Sequence, residues 1–131
     1  MIRLILSLIT IWYDMIYCGE KKEEYRRITP YWVKRFIKKE YWYDDYLNVE
    51  YDPENPFEFE LVAFQSVRHA FRHGENPFRE FDELEFTKGY PKKGDSARRM
   101  TKLRPNINVG YGREEWGAEK GRLYFVITWE K

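Results

Sequence analysis

The apolar positions of this chain fall in short runs whose period changes several times. Residues 1–7, MIRLILS, are rich in Ile and Leu and predict a buried strand. Ile11, Trp12, Met15 and Ile16 then recur at helical spacing behind Thr10, a candidate N-cap, and Gly19 is placed to end that helix at its C′ position. The next stretch, KKEEYRRI at 21–28, has little apolar alternation and predicts an extended segment or an edge strand lining something polar. Thr29-Pro30 reads as a cap followed by proline at the first helical position, and Trp32 or Val33, Phe36 and Ile37 supply the stripe of a short helix.

The tetrapeptide ENPF occurs at 54–57 and again at 75–78. In the first copy Asn55 caps, Pro56 opens a helix and Glu58 completes a capping box, with Leu61, Phe64, Val67 and Phe71 as its stripe and Gly74 as its end. FEFEL also alternates like a strand; the capping signals decide for helix. Past the second copy, Phe81, Leu84 and Phe86 predict a strand ending at Lys88-Gly89, and KGYPKKGDSARR is loop by its Gly and Pro content. Residues 100–109 predict a strand whose middle Pro105 demotes to an edge or bulge. GYGREEWGAEKGR is a Gly-rich connection, its glycines serving positive φ or close backbone approach, and residues 123–129 close the chain as a strand. These elements are mixed and mostly outside βαβ alternation. The expectation is an α+β domain with a strongly curved, partly closed sheet.

A length of 131 residues fits a single domain with a core of its own. Mixed charge suggests a polar chain, but 19% aromatics are far too many for a disordered one. Cys18 is the only cysteine, which excludes an internal disulfide and a Cys-based zinc site and points to a reducing, cytoplasmic compartment. The N-terminal run has Arg3 as its only early positive charge, is interrupted by Asp14 and lacks a small-residue cleavage site. It therefore reads neither as a signal peptide nor as a membrane span, and no membrane partner is expected.

The net charge of +1 hides strong segregation. Residues 21–39 hold eight basic and two acidic groups, residues 40–60 eight acidic and no basic ones, and residues 87–105 seven basic and one acidic. Such blocks make solvated faces; two basic blocks interleaved with Tyr and Trp can also converge into one anion-binding surface.

His69 and His73 stand four apart, on one face of a helix, but Ala70 occupies the place where a metalloprotease motif needs Glu, and no third ligand is apparent. No metal and no cofactor is expected, and the two histidines read as a solvated face. Ser7, Thr10, Ser66, Thr87, Ser96 and Thr101 lie in no nucleophile elbow, so a Ser-His-acid triad is unsupported. The pieces GYP and GYG match neither a Walker loop nor a dinucleotide fingerprint, although backbone N–H groups in such turns can cradle an anion. The sharpest constellation is GEKKEEYRR at 19–27. If 21–26 is extended, Lys22, Glu24 and Arg26 share one face and Lys21, Glu23 and Tyr25 the other. A carboxylate held between cations leaves the Arg fork available for phosphate or a base edge; a cross-strand ladder of ion pairs is the structural reading of the same residues.

The order LS–helix–GEKKEEYR, TPYWVKRF, FDELEFTKGY and GYGREEWGAEKGRLYFVI resembles ASCH-domain proteins of the PUA-like superfamily. The family's G-x-K-x-x-[E/T]-x-R core is matched by Gly19, Lys21, Glu24 and Arg26. The likeness covers the first forty residues and roughly 80–129, and leaves 43–78 as an insertion within one domain spanning 1–131. It implies a small PUA-like β-barrel with helices packed around it, and a cleft that binds RNA or nucleotides. Some ASCH proteins hydrolyse modified cytidine with a lysine and a threonine three residues later. This chain keeps Lys21 but has Glu24 at the threonine position, and a carboxylate does not replace the hydroxyl as acyl-accepting nucleophile.

Three readings follow. In the first, the protein is an RNA- or nucleotide-binding module in which Lys21, Glu24, Arg26, Lys92, Lys93, Arg98 and Arg99 form a basic cleft and Tyr90, Tyr111 or Trp116 stacks on a base, with barrel packing as the rival role for Trp116. In the second it is a hydrolase on RNA or acylated cytidine, with Lys21 as base or electrostatic stabiliser and Glu24 activating water. In the third, the acidic segment 40–60 meets a basic protein partner.

Overall fold

The structure, a computed structural model, describes residues 1–42 and 50–130. Its elements are β1 (Arg3–Leu8), α1 (Thr10–Tyr17), β2 (Glu24–Arg27), α2 (Pro30–Phe36), α3 (Phe57–Arg72), β3 (Glu83–Lys88), β4 (Arg99–Tyr111) and β5 (Leu123–Glu130). The strands hydrogen-bond in the order β1-β3-β4-β5-β2. β1 runs parallel to β3 and β3 antiparallel to β4, so the sheet is mixed and the class is α+β. No pairing among the described strands joins β1 to β2, and the sheet is not closed into the expected barrel. No helix of the described residues is long and apolar enough to cross a membrane.

The chain divides into two compact units, one of Met1–Glu24, Glu80–Asn106 and Ile127–Lys131 and the other of Tyr25–Arg79 and Ile107–Val126. In the first, β1 is half-buried rather than buried: Leu4, Leu6 and Leu8 face the core while Arg3 and Ile5 face out. The period-2 pleat imposes this once only one face is covered. Its partner β3 buries Leu84 and Phe86, with Trp129 edge-on to Phe86 at 5.1 Å. α1 buries Tyr13 and Ile16. Its N-cap is Ile9, so Thr10, expected to cap, is the first helical residue. Arg104 has a φ of 49° just before Pro105, a local distortion of β4 at the place where the proline predicted one.

In the second unit α2 begins as its sequence predicts. Thr29 caps, its Oγ1 accepting from the Trp32 N–H at 3.4 Å, and Pro30 follows at the first position. Phe36 and Phe78 both stand edge-on to Phe125, with ring centroids 5.2 and 6.3 Å away. α3 departs from expectation in two ways. Pro56 is the N-cap residue and no side chain caps the helix, so the Asn55–Glu58 box does not form. Asp52 instead organises the preceding turn, accepting from the Glu54 N–H on its carboxylate and the Asn55 N–H on its carbonyl, both at 3.0 Å. The buried stripe is also rotated: Phe59, Ala63, Val67 and Ala70 face inward, while Leu61 and Phe71 are exposed.

Glu60 accounts for that rotation. It is buried, accepts from Arg122 Nε on both oxygens at 3.1 and 3.0 Å, from Arg122 Nη2, and from the Leu123 N–H at 3.2 Å. A carboxylate buried this way needs such a fork. The hydrogen bond to Glu60 raises the Arg122 pKa further above its ordinary value.

Candidate functional site

The GEKKEEYR stretch begins where α1 stops. Gly19, at φ +85°, takes the left-handed C′ position; its N–H donates to the Ile16 carbonyl at 3.1 Å and the Glu20 N–H to the Met15 carbonyl at 2.9 Å. This is a Schellman motif, and only a residue without Cβ adopts that φ cheaply. The Lys21 N–H adds a second 2.9 Å bond to the same Met15 oxygen, which turns Lys21 inward beneath the helix. Its side chain is 2% exposed as a residue, its Nζ donates to Glu24 Oε1 at 2.8 Å, and it lies 4.7 Å from the Trp12 ring centroid. Glu24 is 4% exposed.

The expected alternation across 21–26 does not hold. The strand starts only at Glu24, so the turn rather than a pleat sets the direction of Lys21, and it meets a carboxylate assigned to the opposite face. Lys22 is exposed. Arg26, in the second unit, is half-buried with its guanidinium 5.3 Å from the Trp32 ring. Lys21 and Glu24 therefore form a buried pair that offers almost no surface to a ligand.

The second basic block behaves differently. A cleft of about 500 Å³ in the first unit is lined by Leu8, Ile9 and Thr10 and by Lys88, Gly89, Tyr90, Pro91, Lys92, Asp95 and Arg98. One wall is the start of α1, the other the loop after β3. One backbone bond joins them, from the Gly89 N–H to the Leu8 carbonyl at 2.8 Å, and Thr87 Oγ1 steadies the loop by donating to the Gly89 carbonyl at 2.9 Å. Lys88 is held against α1 by Asp14 at 2.9 Å and by the Tyr13 ring at 5.1 Å. The KKGD turn closes through Asp95 N–H to the Lys92 carbonyl at 3.0 Å, with Gly94 at φ +88° in the position where a type II turn needs a positive φ. Arg98 is loosely paired with Asp95 at 3.5 Å, and Tyr90 is 94% exposed at the rim.

The structure thus brings Tyr90, Lys92 and Arg98 together around one cleft and adds Lys88, expected as a strand end, and Thr10, expected as a helix cap. Lys88 was visible as part of the basic block; its alignment with α1 needed the parallel β1–β3 pairing. Lys93 is exposed and outside the lining. Arg99 is turned back onto β3, donating to Glu85 at 3.3 Å and to the Lys92 carbonyl at 3.4 Å, where it supports the loop.

In the second unit Tyr111 is exposed and Trp116 is buried beneath the Arg113 guanidinium, 4.9 Å from its ring, so Trp116 packs rather than stacks on a ligand. Next to Tyr111, Gly112 provides close approach: a Cβ there would stand 2.5 Å from Ala118 Cβ and 2.8 Å from the Tyr25 ring. Tyr25 Oη in turn accepts from the Arg113 N–H at 2.9 Å. His69 and His73 lie side by side at the C-terminal end of α3, their rings tilted by 45° with centroids 4.3 Å apart, and no group of three metal-ligating side chains occurs among the described residues.

No family model matches the chain, and neither a curated protein nor a solved structure matches it. What the site can do rests on its geometry. Three cationic side chains, a rim tyrosine and turn backbone surround a cleft open to solvent. That combination suits an anionic ligand with an aromatic part.

Proposed function

We propose that the protein is an RNA- or nucleotide-binding module of the ASCH type, with a PUA-like origin for its sheet. The observation that carries this reading is the cleft in which Lys88, Lys92 and Arg98 stand beside exposed Tyr90. In this reading Lys21 of the G-x-K-x-x-E-x-R motif supports a cleft wall rather than touching the ligand. Lys21 holds Trp12 of α1, and the first residues of that helix form one cleft wall. The hydrolase reading is the weaker one, because Glu24 holds the hydroxyl position and is engaged by Lys21.

The test is titration with single-stranded and duplex RNA at several salt concentrations. Neutralising three phosphates of a single strand gives a log–log salt slope of about −2. The pair Lys92→Ala and Arg98→Ala should flatten it to about −0.7. Tyr90→Ala should weaken binding by about 1–3 kcal/mol with the slope unchanged. No binding at low salt ends the proposal.

A further inference from the structure

Asp95 is out of place in the cleft between the start of α1 and the loop after β3. The other charged residues of the lining are cations, Lys88, Lys92 and Arg98. A carboxylate among them repels the phosphate that they attract, so it weakens anion binding unless it makes a bond of its own. Nor does the fold use it. Asp14, Asp82, Glu83 and Glu85 of the same unit are each held by a partner, at 2.9, 2.7, 2.8 and 3.3 Å. The Asp95 carboxylate has Arg98 Nε at 3.5 Å, too long for a good hydrogen bond, and it does not cap the short helical turn Ser96–Arg98 that follows. Its side chain is half-buried, and the turn that presents it is closed by its own N–H on the Lys92 carbonyl at 3.0 Å.

A carboxylate accepts hydrogen bonds and donates none, so its ligand partner is a donor. On a nucleotide the donors are sugar hydroxyls and base N–H groups. The 2′-hydroxyl lies on the sugar carbon next to the one that bears the 3′-phosphate, whereas the base N–H groups lie across the sugar. A phosphate held by Arg98 therefore brings the 2′-hydroxyl to the carboxylate beside that guanidinium, and exposed Tyr90 at the rim is left to the base. We propose that Asp95 accepts a hydrogen bond from the ligand's 2′-hydroxyl and so selects ribonucleotides over deoxyribonucleotides. The proposal rests on the RNA- or nucleotide-binding reading of the same cleft and adds the group that tells RNA from DNA. The bond is charge-assisted, which is how it offsets the repulsion of the phosphate.

Fluorescence anisotropy of the whole protein tests it with three strands of one uracil-containing sequence: RNA, its 2′-deoxy form and its 2′-O-methyl form, which cannot donate. RNA should bind at least about tenfold more tightly than either of the others. Asp95→Ala should bring the three affinities to within about twofold of one another, by weakening RNA while DNA binds as before or more tightly. A preference for adenosine 3′-monophosphate over its 2′-deoxy form, removed by the same variant, places the recognition within one nucleotide; a preference seen with strands alone supports it for RNA. Equal binding of RNA and DNA by the wild type overturns the proposal and leaves the RNA-binding reading standing, whereas no binding of any strand at low salt ends both. An Asp95→Ala variant that weakens RNA and DNA alike, with their ratio kept, makes Asp95 a support for Arg98 and also overturns it. If Asp95→Ala fails to fold, Asp95→Asn is read instead, its neutral acceptor lowering the preference several-fold.

Discussion

At the scale of single residues, the strongest consequences come from charges held away from water. Lys21 and Glu24 sit together in the first unit, so deleting one leaves the other buried without this partner. Lys21→Ala should cost about 3–5 kcal/mol in chemical denaturation, while Lys21→Met combined with Glu24→Leu should recover most of the loss. A purely ligand-contacting lysine would show the opposite pattern, with stability untouched. Gly112→Ala drives a methyl into Ala118 and Tyr25, so it should destabilise by about 1–3 kcal/mol, as overpacked sites do. Tyr13 behaves as a pH reporter. Burial pushes its phenol pKa up, with the positive charge of Lys88 working against the shift. A folded value raised above the unfolded one means that its contribution is complete below the unfolded pKa of about 10 and is lost as pH climbs through the folded value. Tyr13→Phe should therefore lose less stability than wild type on going to strongly alkaline pH, as followed by thermal melts across that range.

At the scale of elements, what could be read from the sequence depended on whether the signal was local. Thr29-Pro30 fixed the start of α2 and Gly19 the end of α1, since capping is decided within a few residues. The strand after the second ENPF and the final strand also stand where they were expected. The phase of α3 was not. Leu61, Phe64, Val67 and Phe71 make the more hydrophobic stripe, yet the helix buries Phe59, Ala63, Val67 and Ala70 because Glu60 is pinned by Arg122, a partner remote in sequence. The same limit hid the cleft, whose walls are brought side by side by the β1–β3 pairing. The two phases make different predictions. Ala70→Leu should cost about 1–3 kcal/mol by crowding the core, whereas exposed Leu61→Ala should stay within about 0.5 kcal/mol of wild type. Denaturation midpoints of these two variants distinguish the observed rotation from the one the hydrophobic pattern suggests.

At the scale of the whole molecule, residues 43–78 were expected to be an insertion, but α3 supplies core to the second unit and Glu60 anchors it. Residues 43–49 lie outside the described region; the helix that follows them does not behave as a removable decoration. A chain lacking 43–78 should lose its cooperative melting transition and its near-ultraviolet circular dichroism, so a partner lost on that deletion would not by itself identify an acidic docking segment. The clamp between Glu60 and Arg122 has a last consequence, for a chain that has been cut. The KKGD turn is exposed and basic, a place where trypsin cleaves readily, and it lies between the two clamped residues along the chain. A nick there would leave two pieces still bolted to one another, running as one species on a native column and parting only in denaturant.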